Sequence, residues 1–204
     1  MAGTYQRKDH FYEKAKSEGY RSRAAYKLAE LDKKFRFLRT GATVADLGCF
    51  PGGWLQVAAE RVGSKGLVVG VDLNEVEPVS VQGKVQRAPL IIRGDLNDSE
   101  VRASVVAACG GKVDVVLSDM SPKLSGIRFR DAAYSADLVR LAFSFAQDVL
   151  APGGAFVAKV FPGPESDQEA LAVRKAFQKF SRENLDSSRK TSTEMYFVGQ
   201  GFKS

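Results

Sequence analysis

Short apolar runs recur along the chain and alternate with segments whose apolar residues have helical spacing. Five runs are rich in β-branched residues: the run that ends at Asp46, and residues 66–72, 88–95, 113–119 and 155–161. Continuous runs of this kind are typical of strands buried on both faces of a parallel sheet. The pattern predicts an α/β fold with a mostly parallel sheet and helices on both faces.

The other elements follow from spacing and turn residues. Residues 195–199 form an apolar run after a polar loop, with no room for a crossover helix, so we expect an antiparallel last strand. Helices are predicted over about 22–38, 131–150 and 166–180, the last because Ser166 and Glu169 have the spacing of a capping box. Residues 76–87 are polar and contain proline, which indicates an extended loop or a short helix.

A glycine-rich turn separates the first strand from a helix. It reads Asp46-Leu47-Gly48-Cys49-Phe50-Pro51-Gly52-Gly53-Trp54. In a doubly wound sheet this succession forms a ligand crevice, although such turns also occur in sheets that bind nothing. Its spacing differs from the dinucleotide fingerprint, which disfavours nicotinamide and flavin cofactors. A carboxylate before the turn suits a cationic cofactor, and the sequence therefore predicts S-adenosylmethionine.

Three further acids end strands and are expected at the same crevice. Asp72, Asp95 and Asp119 each close an apolar run, and carboxyl ends of parallel strands meet at one edge of the sheet. We expect Asp72 to accept from the ribose hydroxyls of the cofactor and Asp95 to accept from its adenine amino group. For any single acid, capping of the next helix is an equally good interpretation.

Composition restricts the class of protein. With 204 residues, 44% apolar and 26% charged, the chain suits a single domain over residues 1–204. Neither a membrane-spanning run nor a secretory signal is present in the sequence, so we expect a cytoplasmic protein without a membrane partner. Two cysteines and one histidine disfavour a zinc site, and we expect a monomer without a metal.

Positive charge is concentrated at the N-terminus. Residues 1–40 hold eleven Lys or Arg against five acids, and this excess equals the net charge of +6 of the whole chain. A basic N-terminal arm and helix ahead of a neutral body predicts a surface that binds a polyanion. Lys123, Arg128 and Arg130 follow Asp119 and are expected to bind phosphates near the crevice. In both places the alternative is solvated charge on the surface.

Two lysines occupy unusual positions. Lys159 interrupts the apolar run 155–161, although lysine is rarely buried without a partner. It either extends to solvent from a strand end or faces Asp119 in an active site. Lys27 lies roughly 60° from the centre of the apolar stripe of the helix predicted over 22–38. We expect it to border the buried face and to reach toward the sheet edge, as any flanking lysine would.

Five segments resemble one family. They are residues 20–28 (YRSRAAYKL), 46–54, 118–122 (SDMSP), 158–161 (AKVF), and Ser187-Ser188-Arg189 followed by Glu194-Met195-Tyr196. In this order they closely resemble the FtsJ/RrmJ-type ribosomal RNA large-subunit methyltransferases, also called RlmE, over almost the whole chain. The resemblance implies a Rossmann-like fold and S-adenosylmethionine-dependent methylation of a ribose 2′-hydroxyl.

The resemblance also assigns residues and a substrate. It implies a catalytic tetrad of Lys27, Asp119, Lys159 and Glu194. It places cofactor contacts at Gly52, Trp54, Asp72, Asp95 and Asp119. The implied partner is the assembled large ribosomal subunit, with a uridine in the A-loop of 23S rRNA as the target.

The chain departs from the family pattern at two places. Cys49-Phe50 replaces two small residues, and residues 76–87 form a longer segment than the family usually has. Two other functions remain open: a tRNA-directed 2′-O-methyltransferase, and an RNA-binding assembly factor that holds S-adenosylmethionine without using it.

Overall fold

The structure, a computed structural model, describes residues 10–80, 87–188 and 192–203. Its elements in chain order are α1 (His10–Ser17), α2 (Ala24–Phe35), β1 (Thr43–Leu47), α3 (Gly53–Val62), β2 (Leu67–Asp72), β3 (Leu90–Arg93), α4 (Ser99–Cys109), β4 (Val113–Ser118), α5 (Arg128–Val149), β5 (Leu150–Val160), α6 (Pro164–Ala176), β6 (Phe177–Glu183) and β7 (Met195–Phe202).

Within the described ranges the strands form one seven-stranded sheet in the order β3-β2-β1-β4-β5-β7-β6. Strands β1 to β5 pair in parallel, and β7 pairs antiparallel with both β5 and β6. The predicted mostly parallel α/β fold and the antiparallel last strand are confirmed. The strand order reverses between β1 and β4, so the crevice for a ligand is expected at their carboxyl ends.

The parallel strands are buried on both faces, as their continuous apolar runs predict. In β4, Val115 packs with the side that holds α2 and α3, whereas its neighbour Val116 packs with the side that holds α4, α5 and α6. Because successive strand residues point to opposite faces and helices cover both, most positions of such a strand are apolar. The sheet is therefore rigid, and the ends of its strands hold polar side chains in defined positions.

The predicted helices at 22–38 and 131–150 are present with shifted ends. Helix α2 is shorter, since Arg36 has a left-handed backbone with φ of 54° and its N–H bonds to the carbonyl of Asp32. Helix α5 begins three residues earlier than predicted, at Arg128. Among the described residues, none of the helices has both the length and the apolar character needed to cross a membrane.

The predicted helix over 166–180 is wrong at both ends. Helix α6 begins at Pro164, whose fixed φ suits the first helical position, and Ser166 bonds to the N–H and the carbonyl of Gly163. The helix ends at Ala176, and residues 177–183 form the edge strand β6. Val173, Phe177 and Phe180 have helical spacing in the sequence, which hides the change of element.

The segment between β2 and β3 is extended where the structure describes it. Val76 and Val79 are buried in the apolar cluster that holds α2 and α3. The interpretation as an extended loop is confirmed for residues 75–80 and 87–89, and residues 81–86 lie outside the described part of the chain. This segment therefore contributes to the core, although sequence analysis gave it no role.

Phe177 anchors the edge strand that the sequence did not predict. Its ring is 2% exposed and packs against Phe156 and Phe202, with ring centroids 6.4 and 5.3 Å away. Phe177→Ala should lower the free energy of unfolding by about 3–5 kcal/mol, because it leaves a cavity in the core. Urea denaturation measures the change. Leu171→Ala, at a residue 58% exposed on α6, is the control, and equal effects of the two changes would contradict this assignment.

Candidate active site

The ends of β4 and β5 bring Lys159 and Asp119 together. Ser118 pairs with Ala158, so the next residues of the two strands are adjacent at the carboxyl edge. The ammonium of Lys159 lies 3.1 Å from Oδ1 of Asp119 and donates a hydrogen bond of 2.6 Å to the Asp119 carbonyl. The alternative that Lys159 extends freely to solvent is therefore wrong.

Burial makes this contact necessary. The side chain of Lys159 is 8% exposed and that of Asp119 is 20% exposed. A charged amine removed from water needs an anionic or strongly polar partner, which the carboxylate and the carbonyl both supply. Lys159 lies on the same face of β5 as Val157, which is the face that α2 and α3 cover.

A second ion pair joins α2 to the start of β7. Lys27 forms a salt bridge with Oε1 of Glu194, and the two side chains are 12% and 10% exposed. Ser188 also donates a hydrogen bond of 2.7 Å to the same oxygen. Burial opposes ionisation of Glu194, but the charge of Lys27 and these hydrogen bonds outweigh it and hold the pKa of Glu194 below its ordinary value.

Helix α2 is tied to the segment that precedes β7. The carboxylate of Glu30 accepts hydrogen bonds from the backbone N–H groups of Asp186 and Ser187, at 2.9 and 3.0 Å. Arg23 donates a hydrogen bond of 2.5 Å to the carbonyl of Ser187. These contacts fix the helix that carries Lys27 against the chain that leads to Glu194. The four tetrad residues thus lie in one region, and their catalytic roles stay predictions.

Tyr196 is a site residue to which sequence analysis gave no role. It is fully buried opposite Lys159 in the register of β5 and β7, and its hydroxyl donates a hydrogen bond of 3.0 Å to Oδ1 of Asp119. Burial and the negative charges of Asp119 and Glu194 raise the pKa of Tyr196 well above its ordinary value. A buried tyrosine needs a hydrogen-bond partner for its hydroxyl. That requirement could have indicated a role for Tyr196 within the apolar run of the last strand.

A cavity of about 390 Å³, here called the glycine-turn cavity, lies at the carboxyl ends of β1, β2 and β4. Asp72 and Asp95 line it, as predicted, together with Gly48, Phe50, Asn74, Asn97 and Asp119. Oδ2 of Asp72 accepts from the N–H of Phe50 at 2.9 Å, which connects the glycine-rich turn to β2. Neither Asp72 nor Asp95 caps a helix in the structure, since the N-cap of α4 is Asp98.

A second cavity of about 660 Å³, here called the lysine groove, adjoins the first. It is lined by Lys27 and Glu194 and by Arg23, Leu124, Arg128 and Phe161, among others. Ser121, two residues after Asp119, lines both cavities, so the two are neighbours at this residue. The smaller cavity is thus lined by acidic side chains, and the larger groove is lined by three cationic side chains, Arg23, Lys27 and Arg128.

Asp46 is a buried acid without a partner. Its side chain is completely buried at the end of β1, and neither carboxylate oxygen has a hydrogen-bond partner among the described residues. Burial, followed by the negative charges of Asp119 and Asp72, raises the pKa of Asp46 well above its ordinary value. An acid held this way is suited to a cationic ligand at the adjacent glycine-rich turn.

Two residues assigned to cofactor binding have other contacts. The side chain of Trp54 is buried in the core, where its indole N–H donates to the carbonyl of Ala24 at 2.8 Å, so a ligand can meet only its backbone. Gly52 has a positive φ of 112°, and a Cβ there would lie 3.0 Å from Val79 and 3.1 Å from Arg21. That both residues contact a cofactor stays a prediction.

Arg21 explains the crowding around Gly52. Its guanidinium donates to the carbonyls of Glu77 and Pro78 at 2.7 and 2.6 Å, and to the carbonyl of Pro51 at 3.2 Å. One side chain thus holds the glycine-rich turn and the segment after β2 in a fixed relation. Arg21 belongs to the basic arm and to the first family segment, but these contacts were not predictable, because backbone carbonyls leave no signal in a sequence.

The two residues of the first departure from the family pattern, Cys49 and Phe50, have different surroundings. Cys49 is buried against β2, where a Cβ on Gly70 would lie 2.7 Å from its sulfur. Phe50 lines the glycine-turn cavity and is 54% exposed. Cys49 therefore changes packing in the core, whereas Phe50 changes the rim of the cavity.

Comparisons with known proteins identify the family. The model of the family described as FtsJ-like methyltransferase matches residues 20–202. The chain belongs to the FtsJ-like methyltransferase family. It is 46% identical to the ribosomal RNA large subunit methyltransferase E of Methanobrevibacter smithii over 96% of this chain and 90% of that protein. It is 44% identical to the protein of the same name from Granulibacter bethesdensis, over 98% and 83% of the two chains.

A solved structure shows the same fold. A Plasmodium falciparum protein described as a ribosomal RNA methyltransferase matches with a TM-score of 0.75 and 28% identity, over 90% of this chain and 98% of that one. The FtsJ-like family match and this likeness confirm the predicted Rossmann-like methyltransferase fold. All four tetrad residues lie within the residues that the FtsJ-like model matches.

The raised pKa of Asp46 predicts how stability depends on pH. Asp46 holds its proton more tightly in the folded than in the unfolded protein, so wild type loses stability as pH rises from about 4, the unfolded value, through the raised folded value. Asp46→Asn cannot ionise and should escape this loss. Urea denaturation of both ligand-free proteins at several pH values measures the difference. A difference that does not change with pH would contradict the assignment.

Proposed function

We propose that the chain transfers a methyl group from S-adenosylmethionine to a ribose 2′-hydroxyl of ribosomal RNA in the large subunit. The target we favour is a uridine in the A-loop of 23S rRNA within the assembled large subunit. The observation that carries the proposal is the presence of two largely buried ion pairs, Lys159 with Asp119 and Lys27 with Glu194. Asp119 lines the glycine-turn cavity, and Lys27 and Glu194 line the lysine groove. The names of the bacterial and archaeal relatives support the ribosomal substrate.

The glycine-turn cavity fits the proposed methyl donor. S-adenosylmethionine carries cationic sulfonium and amino groups, and a cation beside the turn would favour the ionised form of the unpartnered Asp46, which burial disfavours in the ligand-free protein. Asp72 and Asp95 provide acceptors for ribose hydroxyls and an adenine amino group. When bound, the donor supplies an electrophilic methyl group on a sulfur that leaves as a neutral thioether.

Lys159 is proposed to hold the acceptor oxygen. Asp119 holds the ammonium of Lys159 through a hydrogen bond to its carbonyl and an ion pair with its carboxylate. An ammonium has three N–H groups, and a further one is proposed to donate to the 2′-oxygen of a ribose that enters from the lysine groove. In the charged form the lysine orients this oxygen and stabilises the negative charge that develops on it. Alignment of oxygen, methyl carbon and sulfur supplies most of the rate, and the hydroxyl proton leaves to solvent through the groove.

The other two members of the tetrad have a positioning role in this proposal. The salt bridge of Lys27 and Glu194 forms one wall of the lysine groove and joins α2 to β7. Arg23 and Arg128 line the same groove and suit the phosphates on either side of the acceptor ribose. Binding of RNA should therefore weaken as salt is raised.

Two alternatives share part of this site. A tRNA-directed methyltransferase would use the same ion pairs, and only the substrate separates it from the proposal. An assembly factor that binds S-adenosylmethionine without turnover has no need for two buried ion pairs beside the donor cavity. Burying four charges is costly, which favours a chemical role for them.

A transfer assay separates the three functions. Methyl-labelled S-adenosylmethionine is incubated with the protein and with large subunits, free 23S rRNA or tRNA from a strain that lacks the enzyme. We expect label in large subunits, in dinucleotides that resist alkali because a 2′-O-methyl group blocks cleavage of the next linkage. Label in tRNA alone would support the first alternative, and donor binding without label in any RNA would support the second.

Lys159→Met tests the proposed acceptor contact. Loss of one preorganised donor should lower kcat by about 10²–10³-fold, while the affinity for S-adenosylmethionine stays within about twofold, because Lys159 does not touch the donor in this proposal. Single-turnover kinetics and calorimetry give the two quantities. Lys179→Met, on the exposed side of β6, is the matched control and should change neither. Loss of donor binding in Lys159→Met would show that its role is misassigned.

A further inference from the structure

Residues 121–130, here called the groove loop, comprise most of the connection from β4 to α5 and residues 128–130, the first three of α5. Ser121, Leu124, Gly126 and Arg128 of this loop line the lysine groove. The sequence marked its cations, Lys123, Arg128 and Arg130, either as phosphate contacts or as solvated charges. The structure adds a feature that solvated charge does not explain.

Three large apolar side chains of the groove loop point into solvent. Leu124 and Phe129 are each 67% exposed, and Ile127 is 52% exposed. They alternate in sequence with Lys123, Arg128 and Arg130, which are also exposed. Apolar groups clustered at the rim of a functional groove indicate a surface that another molecule covers.

Hydrogen bonds to Asp131 fix the backbone of the groove loop that carries these exposed side chains. The carboxylate of Asp131, which is 8% exposed, accepts from the N–H and the hydroxyl of Ser125 at 2.8 and 2.7 Å. It also accepts from the N–H of Gly126 at 3.2 Å, and the hydroxyl of Ser125 accepts from the N–H of Ile127. The loop is thus organised before a partner binds, which lowers the entropic cost of binding.

We propose that the groove loop is a stacking surface for unpaired nucleotides of the substrate RNA next to the acceptor ribose. This inference rests on the proposed function. Unpaired nucleotides offer flat bases to Phe129, Leu124 and Ile127, and phosphates to the arginines and the lysine between them. The same loop lines the groove with Lys27 and Glu194, so the strand that enters the groove passes over it.

This surface sets which RNA structures are substrates. Bases in a duplex are stacked on each other and cannot spread over a side chain, so the loop favours acceptors in loops or single strands. The apolar contacts add affinity without reading the base, because every base has a face on which to stack. Selection of the nucleotide therefore depends on the shape of the RNA around it.

Steady-state kinetics with large subunits test the contact. Phe129→Ala should raise KM for large subunits about 5- to 100-fold, the range for loss of one base stacked on an aromatic ring. Leu124→Ala should raise it less, because leucine contributes apolar contact without a ring. In both variants kcat and KM for S-adenosylmethionine should change less than about twofold. Phe129→Trp keeps a flat ring and should keep KM. Leu171→Ala, at an equally exposed leucine on α6, is the matched control.

A binding measurement tests the loop without turnover. Fluorescence of Phe129→Trp should be quenched by an oligouridylate of about ten nucleotides, whereas Leu171→Trp, which shares the buried Trp54, should not respond. Affinity for the oligouridylate is also measured as a function of salt. The slope of log Kd against log salt should be unchanged in Phe129→Ala, which removes no charge, and smaller by about 0.7 in Arg128→Ala, which removes one phosphate contact.

The outcomes distinguish this inference from the proposed function. Label in alkali-resistant RNA together with an unchanged KM in both alanine variants would overturn the stacking surface and leave the function standing. Quenching of Phe129→Trp without methyl transfer to any RNA would overturn the proposed function and leave the stacking surface standing. A raised KM for large subunits with unchanged affinity of Phe129→Ala for oligouridylate would indicate a contact with a ribosomal protein and would also overturn the inference.

Discussion

A buried ammonium at the end of β5 must meet an anion, and this requirement organises the site. Lys159 satisfies it with the carboxylate and carbonyl of Asp119, which the register of β4 and β5 places beside it. The second pair repeats the arrangement with residues from α2 and from the start of β7. Because both pairs are largely removed from water, loss of one partner leaves a costly uncompensated charge. The site is thus tied to the correct pairing of strands that are distant in sequence.

Asp46, near the end of the neighbouring strand β1, differs from these pairs because it has no hydrogen-bond partner among the described residues. It is fully buried in a sheet that is apolar on both faces. Burial of an unpaired acid lowers the stability of the fold. A strained or unsatisfied group of this kind persists when a ligand supplies what the protein lacks. Under the proposed function, the donor side has an unsatisfied group that the ligand would complete, whereas the ion pairs of the acceptor side are already formed without a ligand.

Much of the fold and the placement of the acids were predictable because strand ends leave a clear signal. An apolar run closed by Asp72, Asp95 or Asp119 gives both the strand and its position at the crevice. Lys159 was predictable for a related reason, since a charge inside a buried strand demands an explanation. Family resemblance, not spacing, supplied Glu194 and the grouping of Lys27 and Glu194 with Lys159 and Asp119.

What was missed depends on contacts that a sequence does not encode. Edge strand β6 has apolar residues with helical spacing, so only its pairing with β7 reveals it. Arg21 acts on backbone carbonyls, and Trp54 turns its side chain into the core. The most direct test of the account is a structure with S-adenosylmethionine bound. It should place the methyl carbon at the junction of the cavities, with room for one oxygen about 3 Å from both the methyl carbon and the Lys159 amine. A methyl group directed away from the lysine groove would contradict it.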